Sequence, residues 1–296
     1  MVYILLILIY GKVSSKYVIL ATKFPIINFP GFYFLKMYQS TSYVIGVETK
    51  SANFSGMYIN SEKPTMSFRS VPYKDGRLVL IGGSDHKTGS KIDLKNSYSS
   101  LEDIAKKMFP DSKTVYKWNT EDCISVDKVP YIGEFSELMP HMYVATGYKK
   151  WGMTTSNVAA NIITDMILGK ENKYSNIFLS TRFHPIKNAE EVKNMIKETS
   201  YSLVINKTVF SPGTLEEIPN NDGKIIEIDN KKVGVYKDKD GNIHAVKPIC
   251  SHLGCELSWN NISKTWDCPC HGSRFDYDGK CIYGPSIGNL AQISLE

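Results

Sequence analysis

Two cysteines and two histidines near the end of the chain stand at spacings that suit a metal centre. Cys250 and His252 form a Cys-x-His pair, and Cys268 and His271 form a Cys-x-x-His pair. Two thiolates can hold one ferric ion, and two neutral imidazoles can hold a second iron of lower net charge. The four side chains therefore predict a cluster of two irons and two sulfides.

Three other interpretations of the cysteines are weaker. Structural zinc sites also use two cysteines and two histidines, but a cysteine pair there usually precedes a histidine pair. Secreted disulfide frameworks belong to short chains, whereas this chain has 296 residues, with most of its six cysteines crowded towards one end. Redox exchange usually needs a Cys-x-x-Cys pair. Neither Cys123 nor Cys281 belongs to such a pair, so we expect both to be buried or inert thiols.

The residues around the four ligands make the pattern more specific, and the whole segment resembles the Rieske proteins. Gly254 and Gly272 stand where each loop must turn tightly past a cluster, and Ser273 can donate a hydrogen bond to a sulfide. Gly284 and Pro285 match the loop that covers the cluster in that family. The resemblance therefore implies three short segments that converge on one centre.

The same resemblance assigns the remaining cysteines and one aromatic position. In the Rieske subunits of quinol-oxidising complexes a disulfide ties the two ligand loops together, and its counterpart here is the pair Cys255 and Cys270. The implied ligands are then Cys250, His252, Cys268 and His271. Phe275 stands where high-potential relatives usually have a tyrosine that donates to a ligand sulfur. Because such bonds stabilise the reduced cluster, we expect a lowered reduction potential, unless Tyr277 compensates.

Length and composition indicate an ordinary globular protein of about two domains. Of the 296 residues, 42% are hydrophobic and 11% aromatic, and the formal net charge of +5 is spread along the sequence. The sequence has no compact run of lysine or arginine interleaved with aromatic residues, so a nucleic-acid partner is not expected. The order of the predicted elements indicates an α+β fold.

The first ten residues, 1–10, are almost wholly apolar. A transmembrane helix needs about 20 residues, and a signal peptide needs a basic start and a small-residue cleavage site. We therefore expect a buried strand here, with a degenerate membrane anchor as the alternative. Membrane association is not expected, and the predicted location is cytoplasmic.

Strand patterns dominate the first half of the chain. Apolar runs separated by turn residues predict an antiparallel sheet between residues 42 and 83. Residues 16–25 predict a central strand of a sheet, and residues 142–147 predict another buried strand. We expect a mixed sheet with helices packed on it.

Two helices are predicted in the same half. The first covers residues 99–109, with Ser100 as its N-cap. Its apolar face is predicted to comprise Leu101, Ile104, Ala105 and Met108. The second helix begins after residue 151 and ends near Leu168, with Gly169 as its stop.

Taken in order, these elements are similar to the C-terminal part of the D-amino-acid-oxidase-like FAD-dependent oxidoreductases, the superfamily of glycine oxidase. The matching segments are residues 21–22, 82–89, 118–133 and 145–153. The resemblance implies a flavin and substrate domain in the first half of the chain.

The start of the second helix has a physical reason to contact a flavin. Backbone amides at a helix N-terminus can stabilise negative charge on a reduced flavin, and glycines let the backbone approach the ring. The flavin contacts implied by the resemblance are Gly147, Trp151, Gly152, Met153 and Thr154. Without the resemblance, an ordinary capped helix is the alternative.

The turn that usually cradles the FAD pyrophosphate does not occur in the sequence. Its pattern, Gly-x-Gly-x-x-Gly after a first strand, is absent throughout. We therefore interpret the oxidoreductase domain as lacking its N-terminal part and expect weakened FAD binding. Residues 1–10 are the candidate replacement for a missing strand.

The second half of the chain changes character. Residues 189–199 predict an exposed helix that joins the halves. The all-β base of the ligand loops is predicted from strands over residues 203–209, 224–228, 232–236 and 244–246. The predicted domains are a partial oxidoreductase domain over 1–185, a linker helix over 186–200 and a Rieske domain over 201–296.

Isolated polar residues carry little functional signal. We expect His86 and His141 to be surface or structural histidines, and His244 has no ligand partner nearby in the sequence. Glu121 and Asp122 are expected to be a carboxylate pair at a strand edge. No catalytic residue is predicted.

Two functions remain open from the sequence. The first is an FAD-linked oxidoreductase in which a Rieske cluster exchanges single electrons with the flavin or an outside carrier, through exposed imidazoles of His252 and His271. The alternative is a stand-alone Rieske electron-transfer module attached to a degenerate scaffold that binds no flavin. Either function needs a redox partner protein or a small-molecule electron carrier. A quinol-oxidising membrane subunit and an oxygenase are disfavoured, because a membrane span and a facial triad are not recognised in the sequence.

Overall fold

A computed structural model describes residues 4–8, 11–90, 96–182 and 213–295, with Leu94, Lys193 and Lys197. Its helices are α1 (Ser99–Met108), α2 (Gly152–Ile167) and a 3-10 helix (Tyr33–Leu35). The strands of the first half are β1 (Ile4–Leu8), β2 (Gly11–Ser15), β3 (Val18–Leu20), β4 (Met37–Thr49), β5 (Gly56–Ile59), β6 (Ser67–Tyr73), β7 (Gly76–Lys87), β8 (Lys113–Ser125), β9 (Tyr131–Glu134) and β10 (Met142–Thr146). Those of the second half are β11 (Asp222–Ile228), β12 (Lys231–Lys237), β13 (Ile243–Val246), β14 (Ser258–Asn260), β15 (Thr265–Asp267), β16 (Arg274–Asp276) and β17 (Cys281–Tyr283).

A five-stranded antiparallel sheet forms the centre of the first half. Its strand order is β5-β6-β7-β4-β8, so the long strand β4 lies between β7 and β8. Tyr43, Ile45 and Val47 alternate along β4 and are fully buried beneath α1, as expected for aromatic and β-branched residues on one face of a strand. The antiparallel sheet predicted from the sequence is confirmed.

Helix α1 lies where it was predicted, but two details differ. Tyr98 occupies the N-cap position without a side-chain hydrogen bond, so the prediction of Ser100 as N-cap is wrong. Ser100 lies inside the first turn, where its hydroxyl donates to the carbonyl oxygen of Ser97 at 3.3 Å. Leu101 is buried as predicted, whereas Met108 is exposed because it lies on the last turn of the helix.

A smaller mixed sheet carries the second helix. Its order is β3-β10-β9, with β3 parallel and β9 antiparallel to β10. The fully buried strand of this sheet, β10, is central, so the prediction that residues 16–25 form the central strand is wrong. Helix α2 packs on the sheet through Ile162 and Ile163, and Gly169 follows it with a φ of 67°.

The apolar N-terminal segment forms a strand, but not a buried one. Strand β1 pairs with β2 in a separate two-stranded sheet. Ile4 and Leu6 pack on the core, whereas Leu5 and Ile7 are 57% and 72% exposed. The expectation of a buried strand is therefore wrong for one face. Successive side chains of a strand point to opposite faces, and only one face of this two-stranded sheet packs on the core.

The junction between the halves is only partly described. Lys193 and Lys197 are helical and exposed, within the helix predicted over 189–199. The rest of that helix and the strand predicted over 203–209 lie outside the described residues. The predicted domain boundaries stay predictions.

Residues 213–295 contain strands and no helix, as predicted for the chain after residue 201. One antiparallel sheet has the order β11-β12-β13, and the other has the order β14-β15-β16-β17. Trp266 and Phe275 face each other in the second sheet and are fully buried. These sheets form the base from which two loops project towards the first half.

Candidate metal centre and flavin edge

The two cysteine and histidine loops have matching backbone geometry. In the first loop the Gly254 amide donates to the Cys250 carbonyl oxygen at 3.0 Å, and in the second the Gly272 amide donates to Cys268 at 3.0 Å. Both glycines have positive φ angles, 78° and 76°, which glycine adopts without strain. The glycines predicted at the tight turns therefore lie at equivalent points of two similar loops.

The structure joins these loops by a disulfide between Cys255 and Cys270, the pair implied by the family resemblance. The sulfur atoms of Cys255, Cys268 and Cys270 lie within 4.8 Å of one another. Since the disulfide occupies two of these sulfurs, Cys268 is the one left with a free thiol. Cys250 is the second free thiol at this point of the fold.

The two free thiols are buried against each other. A hydrogen bond from Cys268 lowers the pKa of Cys250 to about 7, and the backbone amide of His252 and the Ser273 hydroxyl act in the same direction against burial. Cys250 therefore ionises more readily than an ordinary thiol. A thiolate is the form that binds iron, so Cys250 favours the charge state of a cluster ligand, whereas the same hydrogen bond and burial raise the pKa of Cys268.

The two imidazoles next to these thiols lack hydrogen-bond partners. Among the described residues, none bonds to either ring nitrogen of His252 or to Nδ1 of His271, although all three atoms are buried. Burial, with contributions from His252 and Lys87, lowers the pKa of His271 to about 3. A neutral imidazole with a free nitrogen is a metal donor. Two thiols and two unpartnered imidazoles fit the donor set of a mixed sulfur and nitrogen cluster.

The expectation that both imidazoles are exposed is wrong: His271 is 3% exposed, and His252 is half-buried with both ring nitrogens buried. The ring of Phe34, from the 3-10 helix of the first half, lies 5.1 Å from the ring of His252 and 5.3 Å from that of His271, edge to face in both cases. The two imidazoles lie 5.2 Å apart, with ring planes at 88°. The histidine side of the centre therefore faces the first half of the chain.

The third predicted segment also lies beside these loops. An added side chain at Gly284 would come within 2.4 Å of Ser273 Cα, so the glycine permits close contact between the segments. Asn28 of the first half donates to the Pro285 carbonyl oxygen at 3.2 Å. The covering segment is thus held by both halves of the molecule.

The aromatic residues near the centre occupy different positions. Phe275 is buried in the base sheet opposite Trp266. Tyr277, the residue considered as a substitute donor, packs instead on Tyr236 and His244, with ring centroids 5.0 and 4.8 Å away. These contacts hold Tyr277 against the base sheet.

A buried charge cluster binds the two halves beside the cluster loops. Arg274 donates to Asp267 of its own half at 3.0 Å and also forms an ion pair with Glu121 of β8. Asn119 accepts a further hydrogen bond from Arg274 at 3.3 Å. Glu121 lies on the edge strand β8, as predicted, and its carboxylate forms an ion pair across the two halves.

The predicted flavin contacts cluster at one end of α2. Gly147 has a φ of 74° and lies beside Met37 and Tyr131. Helix α2 begins at Gly152 without a side-chain cap, and Met153 in its first turn is 88% exposed. The helix start therefore presents free backbone amides to the surface, as a site for negative charge requires.

The remainder of this loop is also accessible. Trp151 is exposed, and the Thr154 hydroxyl donates to the Trp151 carbonyl oxygen at 3.2 Å. His86 and His244, by contrast, have local roles. His86 stacks on Tyr43 at 5.7 Å, and His244 Nδ1 lies 2.7 Å from a carboxylate oxygen of Asp278.

Several residues at the centre have no signal in the sequence. Phe34, Gln39 and Arg274 reach the cluster loops or the opposite half from distant parts of the chain. Gln39 fills the space beside Gly272, where an added side chain would lie 2.2 Å from Gln39 Cγ.

Two family models match the chain. The one described as FAD dependent oxidoreductase matches residues 11–166, which is more than half of the chain. The one described as the Rieske 2Fe-2S domain matches residues 210–294. The chain therefore belongs to the FAD dependent oxidoreductase family and carries a Rieske 2Fe-2S domain after the oxidoreductase domain.

Individual relatives match either nearly the whole chain or about a third of it. Over 284 residues the chain is 36% identical to the "Putative Rieske 2Fe-2S iron-sulfur protein YhfW" of Bacillus subtilis (strain 168), covering 96% of this chain and 56% of that protein. Over 93 residues it is 37% identical to the cytochrome b6-f complex iron-sulfur subunit of Chlorobaculum tepidum, covering 31% of this chain and 50% of that protein. The chain spans about half the length of these relatives.

Among solved structures, glycine oxidase from Geobacillus kaustophilus matches with 19% identity and a TM-score of 0.46, covering 60% of this chain and 48% of that chain. In the part of the chain that the structure describes, no helix is both long and apolar enough to cross a membrane.

Proposed function

We propose that this protein is an oxidoreductase in which a Rieske cluster exchanges single electrons with a flavin in the oxidoreductase domain. The proposed cluster ligands are Cys250, His252, Cys268 and His271, with Gly254, Gly272, Ser273, Phe275 and Pro285 around them. The proposed flavin contacts are Gly147, Trp151, Gly152, Met153 and Thr154. When bound, the flavin would supply two-electron oxidation of a small molecule, and the cluster would supply one-electron transfer.

The observation that carries this proposal is the position of the histidine side of the centre. Phe34 contacts both imidazole rings, and Phe34 belongs to the oxidoreductase domain. The edge through which a Rieske cluster meets its electron donor is thus directed into the same chain. A donor within the oxidoreductase domain requires the histidine side of the centre to face that domain, whereas an external donor requires it to face solvent.

The chain's own residues would perform three tasks. The buried loops would exclude water from a bound cluster, and burial lowers the pKa of both imidazoles, which keeps them in the neutral form that binds metal. The open start of α2 would stabilise negative charge on the reduced flavin. Asp267, Arg274 and Glu121 hold the two domains together. Electrons would leave to a redox protein or a small-molecule carrier. We also propose the cytoplasmic location and the domain boundaries predicted from the sequence.

Anaerobic purification followed by analysis of iron, sulfide and flavin tests the proposal. We expect about two irons per chain and a Rieske-type EPR signal after reduction with dithionite. In protein loaded with FAD, photoreduction of the flavin should produce the same EPR signal. His271→Ala should lose iron, whereas His244→Ala, a histidine of the same domain away from the loops, should keep it.

Two outcomes would contradict the proposal in different ways. A zinc-loaded, EPR-silent protein would reject the cluster itself. A cluster that forms and cycles in protein that does not bind FAD would instead support a stand-alone electron-transfer module.

A further inference from the structure

Two buried residues of the oxidoreductase domain lie between the proposed flavin edge and the cluster loops. Gln39 on β4 pairs in register with Cys123 on β8. Both side chains are buried, and the Gln39 amide donates to the Cys123 sulfur at 3.3 Å. Burying an amide is costly unless it is hydrogen-bonded, so this pair is a built feature of the sheet.

Gln39 contacts the cluster side directly. Its Cβ and Cγ pack on the backbone of Gly272, the residue after His271, so closely that an added side chain at Gly272 would lie 2.2 Å from Gln39 Cγ. Tyr283 donates from its hydroxyl to Gln39 Oε1 at 3.4 Å, and Tyr283 directly precedes the covering segment. Gln39 therefore contacts both sides of the cluster pocket.

Cys123 contacts the flavin side. Its carbonyl oxygen accepts a hydrogen bond at 3.2 Å from the amide of Lys149, within the loop from Gly147 to Trp151. Its thiol lies 3.4 Å from the Lys23 carbonyl oxygen, to which the hydroxyl of Thr146 also donates. Thr146 is the residue before Gly147. Cys123 is thus joined at two points to the loop that would contact the flavin.

We infer that Gln39 and Cys123 form the bridge through which the flavin edge and the cluster exchange electrons. The inference rests on the proposed function. An electron crosses covalent and hydrogen bonds more readily than empty space. Gln39 and Cys123 complete a path of such bonds from the loop at Gly147 to the cluster loop, with a single packing contact at Gly272. Tyr283 positions the Gln39 amide at the cluster end.

The electron balance of this route is simple. The Cys123 and Gln39 pair would carry two electrons from a bound, reduced flavin, one at a time, while the flavin protons pass to solvent. The cluster held by the four ligands would accept each electron as the reduction of one ferric ion to ferrous. A redox protein or small one-electron carrier would take up both electrons in turn.

The test uses the full chain loaded with FAD and cluster. Gln39→Met keeps the side-chain volume but removes both hydrogen bonds, and Cys123→Ala removes the thiol. After photoreduction of the flavin, freeze-quench EPR follows cluster reduction. Both variants should slow the transfer by about tenfold or more, with unchanged midpoint potentials and unchanged EPR g-values.

Ser263→Ala is the matched control, because the Ser263 hydroxyl accepts a hydrogen bond across the halves from Asn119 at 3.0 Å but lies off the bridge. Its transfer rate should stay within about twofold of that of the wild type. A change in potentials or g-values together with the rate would mean that Gln39 acts by shaping the cluster, and would overturn the inference.

Other outcomes are also decisive. If the wild type transfers electrons and both Gln39→Met and Cys123→Ala do so at the same rate, the bridge is wrong while the proposed function stands. If Gln39→Met fails to assemble its cluster, Cys123→Ala decides, because the three atoms that approach Gly272 most closely belong to Gln39 and not to Cys123. If flavin photoreduction does not reduce the cluster in the wild type, the proposed function fails first, and the bridge fails with it.

Discussion

The proposed cluster pocket and the proposed flavin edge are built in opposite ways. At the cluster, two loops with equivalent turns are joined by a disulfide and covered by Phe34 and by the segment around Pro285. At the flavin edge, one uncapped helix start carries an exposed Trp151 and Met153. The difference teaches that the cluster pocket is fixed by many mutual contacts, whereas the flavin edge depends on one loop and one helix. Substitutions should therefore affect the two regions very unequally.

The largest effect is expected from a cluster thiol. Cys268→Ser should remove the EPR signal and most of the iron, because a hydroxyl is a much poorer ligand for ferric iron than a thiolate. Iron analysis and EPR measure the loss. Cys281→Ser, a thiol in the same domain that bonds to the Ser286 carbonyl oxygen, should retain the cluster. Equal iron loss in both variants would show that the ligand assignment is wrong.

The charge cluster between the halves should give the next effect. Glu121→Ala leaves the buried Arg274 with one carboxylate partner fewer, and we expect the free energy of unfolding to fall by about 3 kcal/mol. Urea titration measures the change. Lys50→Ala removes an exposed ion pair with Asp75 and should leave the unfolding curve unchanged. A Glu121→Ala protein as stable as the wild type would contradict this account.

Two glycines compare the regions directly. Gly272→Ala adds strain at a positive φ and a clash with Gln39, and should cost about 2–4 kcal/mol. Gly147→Ala meets atoms only at ordinary distances of 3.4 Å and beyond, so it should cost about 1 kcal/mol of strain alone. Thermal unfolding of the two variants ranks them. The reverse order would mean that the cluster pocket is the more adaptable region.

The smallest effect concerns pH and the sheet behind the cluster. Burial, the largest influence, lowers the pKa of His86 below 6.5, so the folded protein holds this imidazole neutral. The unfolded chain protonates near pH 6.5, and stability should therefore fall as the pH drops through that value. His86→Gln should flatten this dependence, as measured by urea titration at pH 7.5 and pH 5.5. An unchanged slope would assign the acid sensitivity to other groups.

Local spacing made the cluster loops predictable from the sequence. A ligand pair and its turn glycine lie within six residues of each other, so Cys250 and Gly254 could be placed without knowing the fold. Phe34 and Arg274 could not, since their partners lie more than one hundred residues away, and no periodicity encodes such contacts. Hydrophobicity placed β1 as a strand but could not show that only one of its faces would be covered.

The ion pair between Glu121 and Arg274 has a mechanical consequence. A cluster domain that carries electrons by swinging between two docking positions must release one surface before it reaches the other. Release here would expose a packed backbone contact at Gly89 and Pro269 and strip the Arg274 guanidinium of its carboxylate on the opposite half. The domain is therefore anchored, and a cluster bound in it would be a stationary relay to which carriers must come.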